Sequence, residues 1–420
     1  MAEIRPFRAI RPKAGYEAKI ASLPYDVYSR KEAKKVVDGH PDMFLNIDRP
    51  ETQFTDDTDM YSDKVYQKAD EMLRGMIADG RFIKEEKPCY YIYRLTMNGR
   101  SQTGLVGCCL VDDYVDQTIR RHENTRADKE LDRIRHVDTT NAQTGPIFLT
   151  YRKDEELKKI VERTMIKAPV YDFVSDDRVG HTVWIIDDEK DIASIMGRFA
   201  AMKSIYIADG HHRCASAVKV SLKRKEQYPQ DDRSEAYNYF LSVLFPDDEL
   251  KILDYNRVLK EWNGYTKDSL IAALQTDFEI SRAEHTPYAP RHKGTFGMYM
   301  DHTWYCLKAK EHLLDSDVVK SLDVSILQDY VLYKLFSIKD PTTDNRIEFV
   351  GGIRGLGELE KRVDDGAACA FSMYPTSIGE LFAVADAHRL MPPKSTWFEP
   401  KLRSGLFIHD ITRGEKQYDE

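Results

Sequence analysis

Residues 90–111 carry the strongest constraint on the fold. Two β-favouring apolar runs, Tyr90–Met97 and Gln102–Val111, flank Asn98-Gly99. Asn-Gly accepts the positive φ angles of the two-residue turn whose twist matches a hairpin, so the stretch predicts a long antiparallel pair. A sheet seeded this way departs from the regular strand–helix–strand alternation of a doubly wound fold. The remaining pattern agrees. Strands are expected at Ile147–Tyr151, Tyr171–Val174, Thr182–Ile186, Ser204–Ala208, Tyr237–Phe245 and Ala367–Met373. A second hairpin is expected from Thr295–Met300 and Thr303–Leu307, and a short closing strand at Leu406–His409. A helical period (Tyr61, Val65, Ala69, Met72, Leu73, Met76) predicts a helix over Asp56–Asp79. Further helices are expected over Asp188–Ala200, His211–Arg224, Asp323–Phe336 with Asp323 as N-cap, and Ser377–His388. The mixture predicts an α+β fold of mixed sheets with packed helices.

The 420 residues are too many for one small domain. The break at Pro246-Asp-Asp-Glu249 predicts two α+β domains, 1–250 and 251–420, the second contributing a basic loop, 391–403. A net charge of −8 argues against nucleic acid and anionic membranes as partners, because phosphate neutralisation demands a basic surplus. No apolar run approaches the ~20 residues of a membrane span, and Met1-Ala-Glu-Ile-Arg-Pro-Phe7 lacks the apolar core of a signal peptide. None of the six cysteines forms a C-x-x-C pair, and their apolar surroundings read as free buried thiols. The expectation is a cytoplasmic protein with a small-molecule substrate; the oligomeric state is left open.

Three segments carry chemistry. The first is Ile205-Tyr-Ile-Ala-Asp-Gly-His-His-Arg213, a strand running through Asp-Gly into a helix. Backbone N–H groups at a helix N-terminus attract anions, Arg213 can grip phosphate oxygens in a bidentate way, His211 and His212 can donate to them, and Asp209 suits Mg²⁺ or a base. The plainer alternative is a turn with Asp209 as cap and a solvated His-His-Arg trio. The second segment is Arg120–Arg135. On a helix, His122, Arg126, Lys129 and Arg133 fall on one basic stripe, with Ala127, Leu131 and Ile134 as a separate apolar stripe and Glu123 at the helix start. It runs on into the polar loop Thr139–Pro146. The third is the proline-stiffened loop His388–Gly405, where Lys394-Ser395-Thr396, Lys401 and Arg403 offer cations and hydroxyls, and Trp397 and Phe398 suit a packing arm. No G-x-x-x-x-G-K-[ST] loop, G-x-G-x-x-G turn or G-x-S-x-G elbow occurs.

Six ordered motifs, Ile4-Arg-Pro-Phe-Arg-Ala9, Leu23-Pro-Tyr-Asp-Val27, His122-Glu-Asn-Thr125, Ala208-Asp-Gly-His-His-Arg213, Tyr255-Asn-Arg-Val258 and Met391-Pro-Pro-Lys-Ser-Thr396, resemble domain-of-unknown-function family 1015 over nearly the whole chain. The D-G-H-H-R segment alone is similar to the partition-protein-B and sulfiredoxin-like superfamily, which includes free serine kinases. Cys214 stands where the family usually has an aromatic residue, and its place inside the helix disfavours sulfiredoxin chemistry.

The resemblance implies a partition-protein-B/sulfiredoxin-like core and phosphoryl transfer to a small hydroxy compound. Free L-serine is the preferred acceptor, and pyrophosphate, ADP or ATP with Mg²⁺ the donor. Glu123 or Asp209 would take the hydroxyl proton, and the other would help hold the metal, Asp209 being the metal candidate. His122, Thr125, Arg126, Lys129, His211, His212, Arg213, Lys394 and Ser395 would bind phosphate, and Tyr25 and Asp26 the acceptor. The alternatives are a phosphohydrolase or nuclease at the same anion site, and a nucleotide-controlled DNA-binding regulator.

Overall fold

The structure, a computed structural model, describes residues 1–125 and 127–414. Contacts divide the chain into two units. One holds Met1–Arg121, Thr125–Leu250 and the segment from Pro400 onward; the other holds His122–Asn124 and Lys251–Glu399. The division differs from a single cut at residue 250, because the segment from Pro400 groups with the first unit and the H-E-N tripeptide with the second.

The first unit is built on a nine-stranded mixed sheet. Its strands lie in the order Ile119–Arg120, Ile205–Asp209, Ile147–Tyr151, Tyr239–Pro246, Arg100–Leu110, Tyr90–Met97, Gly180–Ile186, Tyr171–Val174, with Ile4–Arg5 also paired to Arg100–Leu110. The Asn98-Gly99 turn closes its hairpin as the residues require: Met97 pairs with Arg100, and both turn residues have positive φ. Two pairings are parallel, Ile205–Asp209 with Ile119–Arg120 and Tyr239–Pro246 with Ile147–Tyr151; the others are antiparallel. The central strands are buried throughout, save Pro246 at the end of one, which explains why they read as continuous apolar runs. Helices Glu155–Thr164, Glu189–Ala200 and His211–Gln227 place Leu157, Ile160, Ile195, Phe199, Cys214 and Ala217 against Ile92, Leu105, Leu149, Ile207 and Leu244 to form the main core. Asp154 and Asp188 cap the first two of these helices through their carboxylates.

The second unit carries a six-stranded antiparallel sheet in the order Phe278–Arg282, Thr303–Ala309, Thr295–Met300, Cys369–Ser372, Tyr255–Leu259, Ile347–Gly351. Helix Gly357–Asp364 packs Leu359 and Val363 on it beside Val258, Val350 and Ala370. The chain is therefore an α+β protein. Among the described residues, no helix is long and apolar enough to cross a membrane.

Four expectations need correction. The helix expected from Asp56 begins at Asp63, and Tyr61 lies exposed before it. The helix expected over Asp323–Phe336 is α-helical only for Asp323–Leu327 and continues as a π-helix over Gln328–Tyr333. Asp323 is its first helical residue rather than its cap: Leu322 holds the cap position, and the Asp323 carboxylate accepts the Gly294 N–H at 2.9 and 3.1 Å. The cysteines are free as expected, but Cys306 is only half-buried.

Candidate anion site

Strand Ile205–Asp209 is buried from Ile205 to Ala208, so sheet packing fixes the position at which Asp209 emerges. The chain then turns at Gly210, whose φ of 88° is left-handed, and helix His211–Gln227 begins. A Cβ at Gly210 would also lie 3.0 Å from the Arg213 guanidinium, so glycine serves both conformation and space. Arg213 folds back over this turn: its Nη1 donates to the Pro146 carbonyl at 2.6 Å, and its Nη2 lies 3.8 Å from Asp209 Oδ2. Lys401 brings a second cation, with Nζ 3.3 Å from the same oxygen.

Burial works against ionisation of Asp209, but Lys401 and Arg213 outweigh it and hold its carboxyl well below the usual carboxylate range. The side chain keeps 35% exposure, so a ligand can reach it. Among the described residues, Asp209 Oδ1 has no partner. An ionised carboxylate with one open oxygen fits Mg²⁺, which takes one or two protein carboxylates and completes its shell with water and phosphate oxygens.

Behind Arg213 lies a layer of buried charge that sequence reasoning missed. A cavity of about 30 Å³, room for one or two waters, is lined by Tyr25, Asp48, Arg133, Thr144, Arg213 and Ser404 among others. Asp48 accepts the Thr144 hydroxyl at 2.9 Å, and its carbonyl accepts Arg133 Nη1 at 3.3 Å. Arg133 pairs with Asp132 at 2.8 Å and lies 4.1 Å from the Tyr25 ring centroid. Arg49 pairs with Glu51 at 2.6 Å and donates to the carbonyls of Tyr25 and Tyr28. Burial pushes the Tyr25 phenol up, so it stays protonated at neutral pH. The loop before strand Ile147–Tyr151 closes in tightly: a Cβ at Gly145 would lie 3.1 Å from Ser404 Oγ and 3.5 Å from Arg213 Nη1. The only hint of this layer in the sequence is the charge-dense Asp48-Arg49-Pro50-Glu51 between apolar residues.

The other expected site residues are distributed as follows. In the first unit, His211 is buried and His212 half-buried. Tyr25 is buried while Asp26 is exposed, so the two do not act as one patch. The Thr125 hydroxyl is bonded to Glu130, which also pairs with Lys219. Lys129 is half-buried. Arg126 lies outside the described residues. The basic stripe is not formed as drawn, because the helix starts at Ala127 and His122 precedes it. The apolar stripe forms only in part: Ile134 packs beside Val220, Tyr237 and Ile411, but Ala127 is exposed and Leu131 is 59% exposed, and the buried positions are polar, with Glu130, Arg133, His136 and Thr140 each hydrogen-bonded. Arg403 is buried, donating to Asp177 at 2.5 Å and to Ser175, so it serves packing. Cys214 is fully buried, and burial raises its thiol well above the ordinary value, which suits no redox role.

In the second unit, His122 is buried, with Nε2 3.3 Å from Thr396 Oγ1 and its carbonyl accepting the Met391 N–H at 2.8 Å. Glu123 is half-buried at a bend. Lys394 is exposed at φ 59°, with Nζ 5.9 Å from the Tyr255 ring and its carbonyl accepting Arg257 Nη2 at 3.1 Å. Ser395 is buried and its hydroxyl donates a hydrogen bond to the Pro392 carbonyl. Trp397 stacks edge-on against Tyr255 and Phe398 is buried, so the packing-arm reading of the loop holds beside its exposed Lys394.

No curated protein matches the sequence. A free serine kinase variant in complex with ADP is similar in structure with a TM-score of 0.37 at 12% identity, over 72% of this chain and 92% of its own. SbnI with a C-terminal truncation, from Staphylococcus aureus, gives 0.39 at 11% identity over 74% and 90%. A conserved hypothetical protein from Pyrococcus furiosus gives 0.34 at 12% identity over 72% and 94%. The family model described as "Protein of unknown function (DUF1015)" matches residues 4–325, and the chain belongs to that family.

Proposed function

We propose that the protein is a phosphotransferase that moves a phosphoryl group to the hydroxyl of a small metabolite, with free L-serine as acceptor. Pyrophosphate is the preferred donor, and ADP or ATP the other candidates. The observation that supports this reading is the Asp209 turn: an ionised carboxylate between two fixed cations, Lys401 and Arg213, at the start of a helix. Phosphoryl transfer needs in-line positioning and neutralisation of charge on the transferred group more than covalent help from the protein. Arg213, His211, His212 and the first N–H groups of the helix would carry that neutralisation. Mg²⁺ held by Asp209 would supply further charge on the donor phosphates.

A carboxylate paired with two cations accepts a proton poorly, so Asp209 suits metal and charge work, and Glu123 is the better general base. In the step proposed, the serine Oγ bonds to the terminal phosphorus, the bridging P–O bond breaks with its electron pair leaving on inorganic phosphate (from pyrophosphate), AMP (from ADP) or ADP (from ATP), and the hydroxyl proton goes to Glu123. The roles of Glu123, His122, Thr125, Lys129 and Lys394 rest on their sequence motifs. Tyr25, buried against Arg133, suits support of the site, and Asp26 remains the charge partner for the acceptor ammonium.

Phosphorus NMR tests the reading. Purified protein with Mg²⁺ and L-serine is offered pyrophosphate, ADP and ATP in separate tubes. A phosphoserine signal in one tube is expected and names the donor. Inorganic phosphate alone, independent of serine, would replace the proposal with a phosphohydrolase.

A further inference from the structure

The first unit holds a second cavity, of about 480 Å³, at the far end of strand Ile147–Tyr151 from the Asp209 turn. Asp209 pairs with Phe148 near the start of that strand, whereas Tyr151 ends it, paired with Pro246 of the parallel neighbour Tyr239–Pro246. The cavity therefore opens beyond the carboxyl ends of two adjacent parallel strands, where crevices in sheets commonly take ligands. Its size lies in the range of small-molecule sites.

Three polar groups reach it half-satisfied. Tyr151 is 3% exposed, and among the described residues its hydroxyl has no hydrogen-bond partner. The hydroxyl keeps some exposure, so water or a ligand in the cavity can complete it. Glu249 accepts the Thr103 N–H through Oε2 at 2.5 Å. Burial nevertheless holds its carboxyl above the ordinary value, against the Thr103 N–H and hydroxyl and, more weakly, Arg94, with Asp248 adding to the rise. Arg94 has no ion-pair partner among the described residues; its guanidinium lies 5.1 Å from the Trp184 ring and against the Met165 sulfur. Leu105, Val161 and Met165 supply an apolar floor. The rim outside carries Lys153 and Lys158 against Asp154, Glu155, Glu162 and Asp248, so it leans acidic, which suits a ligand that presents an ammonium.

A fixed guanidinium, an under-bonded carboxylate with a phenol, and an apolar floor are the three elements that recognise a zwitterion with a hydrocarbon tail. We propose that this cavity is a binding site for an aliphatic α-amino acid. The ligand carboxylate would lie on Arg94, its ammonium on Glu249 and the Tyr151 hydroxyl, and its side chain on Leu105, Val161 and Met165. The site is separate from the Asp209 turn and does not depend on the phosphotransferase reading.

Isothermal titration calorimetry on the full chain tests it, with L-leucine, 4-methylpentanoate (no ammonium) and 3-methylbutylamine (no carboxylate) as probes. L-Leucine should bind, and each half-ligand at least tenfold more weakly. Arg94→Met should weaken L-leucine tenfold or more and leave the amine unchanged. Glu249→Gln should weaken L-leucine and leave 4-methylpentanoate unchanged. Tyr151→Phe, which keeps the packing, should weaken L-leucine severalfold and guards against misfolding in the charge variants. No heat from L-leucine at tens of millimolar, half-ligands that bind as tightly as the whole, or unchanged affinity in properly folded Arg94→Met and Glu249→Gln would each overturn the assignment.

Discussion

Replacing Lys401 by methionine isolates the electrostatics on which the anion site depends. Methionine keeps most of the side-chain volume and removes one of the two cations beside Asp209. At 3.3 Å the gross attraction at an effective dielectric of ~20 is about 5 kcal/mol. Asp209 is 35% exposed and Lys401 15%, so solvent screens the pair. The net value should fall between exposed pairs, at under about 1 kcal/mol, and fully buried ones, at ~3–5. We expect Lys401→Met to lose about 1–2 kcal/mol at pH 7 in urea denaturation. Because the folded carboxyl lies below its unfolded value, this stability is present above the unfolded pKa of ~4 and is lost as pH falls below it. The difference between variant and wild type should therefore shrink as pH is lowered from about 4. Carbon NMR of the aspartate carboxyls in metal-free buffer, assigned with Asp209→Asn, should show Asp209 titrating higher in the variant. Equal stability at pH 7 together with an unshifted Asp209 titration would refute the pairing.

Other predictions follow from the same contacts. Burial holds the Asp323 carboxyl at about 7, against the Gly294 N–H and Lys293, which favour its ionised form. A raised folded pKa gives stability that is full below ~4 and lost as pH rises through about 7, so Asp323→Asn should flatten the denaturation midpoint between pH 5 and 8 and exceed wild type at pH 8. Arg49→Leu strands Glu51, which is 3% exposed, without its cation; chemical denaturation should show a loss of ~3–5 kcal/mol, far more than an exposed pair gives. Glu123→Gln should cut turnover by on the order of 10²-fold with little change in donor affinity if Glu123 is the base; a variant that loses only donor affinity moves it out of that role.

The elements carried by turn chemistry and by continuous apolar runs were legible. The Asn98-Gly99 hairpin and the Asp209-Gly210 exit formed as read, because local φ requirements decide both. Helix Ala127–Thr140 was misread because its buried face is polar: Glu130, Arg133 and His136 are buried by partners distant in sequence, and a pattern of apolar residues carries no trace of that. Lys401 lies 192 residues from Asp209 and was read only as added charge in the last loop. Asp48 and Thr144 meet across a comparable blind spot, since a buried carboxylate–hydroxyl contact leaves no spacing rule. The π-helical turn after Leu327 has no compositional signal against an α-helix of the same apolar residues.

The central claim is that Asp209 serves phosphoryl transfer rather than only ending a strand and pairing with cations. The direct test is turnover of Asp209→Asn beside wild type, with circular dichroism and a melting curve as controls for the fold. The substitution is nearly isosteric. The account predicts a folded protein in which phosphoserine formation falls by on the order of 10²-fold or more. A folded variant with an unchanged rate would make Asp209 a structural turn residue and contradict the account.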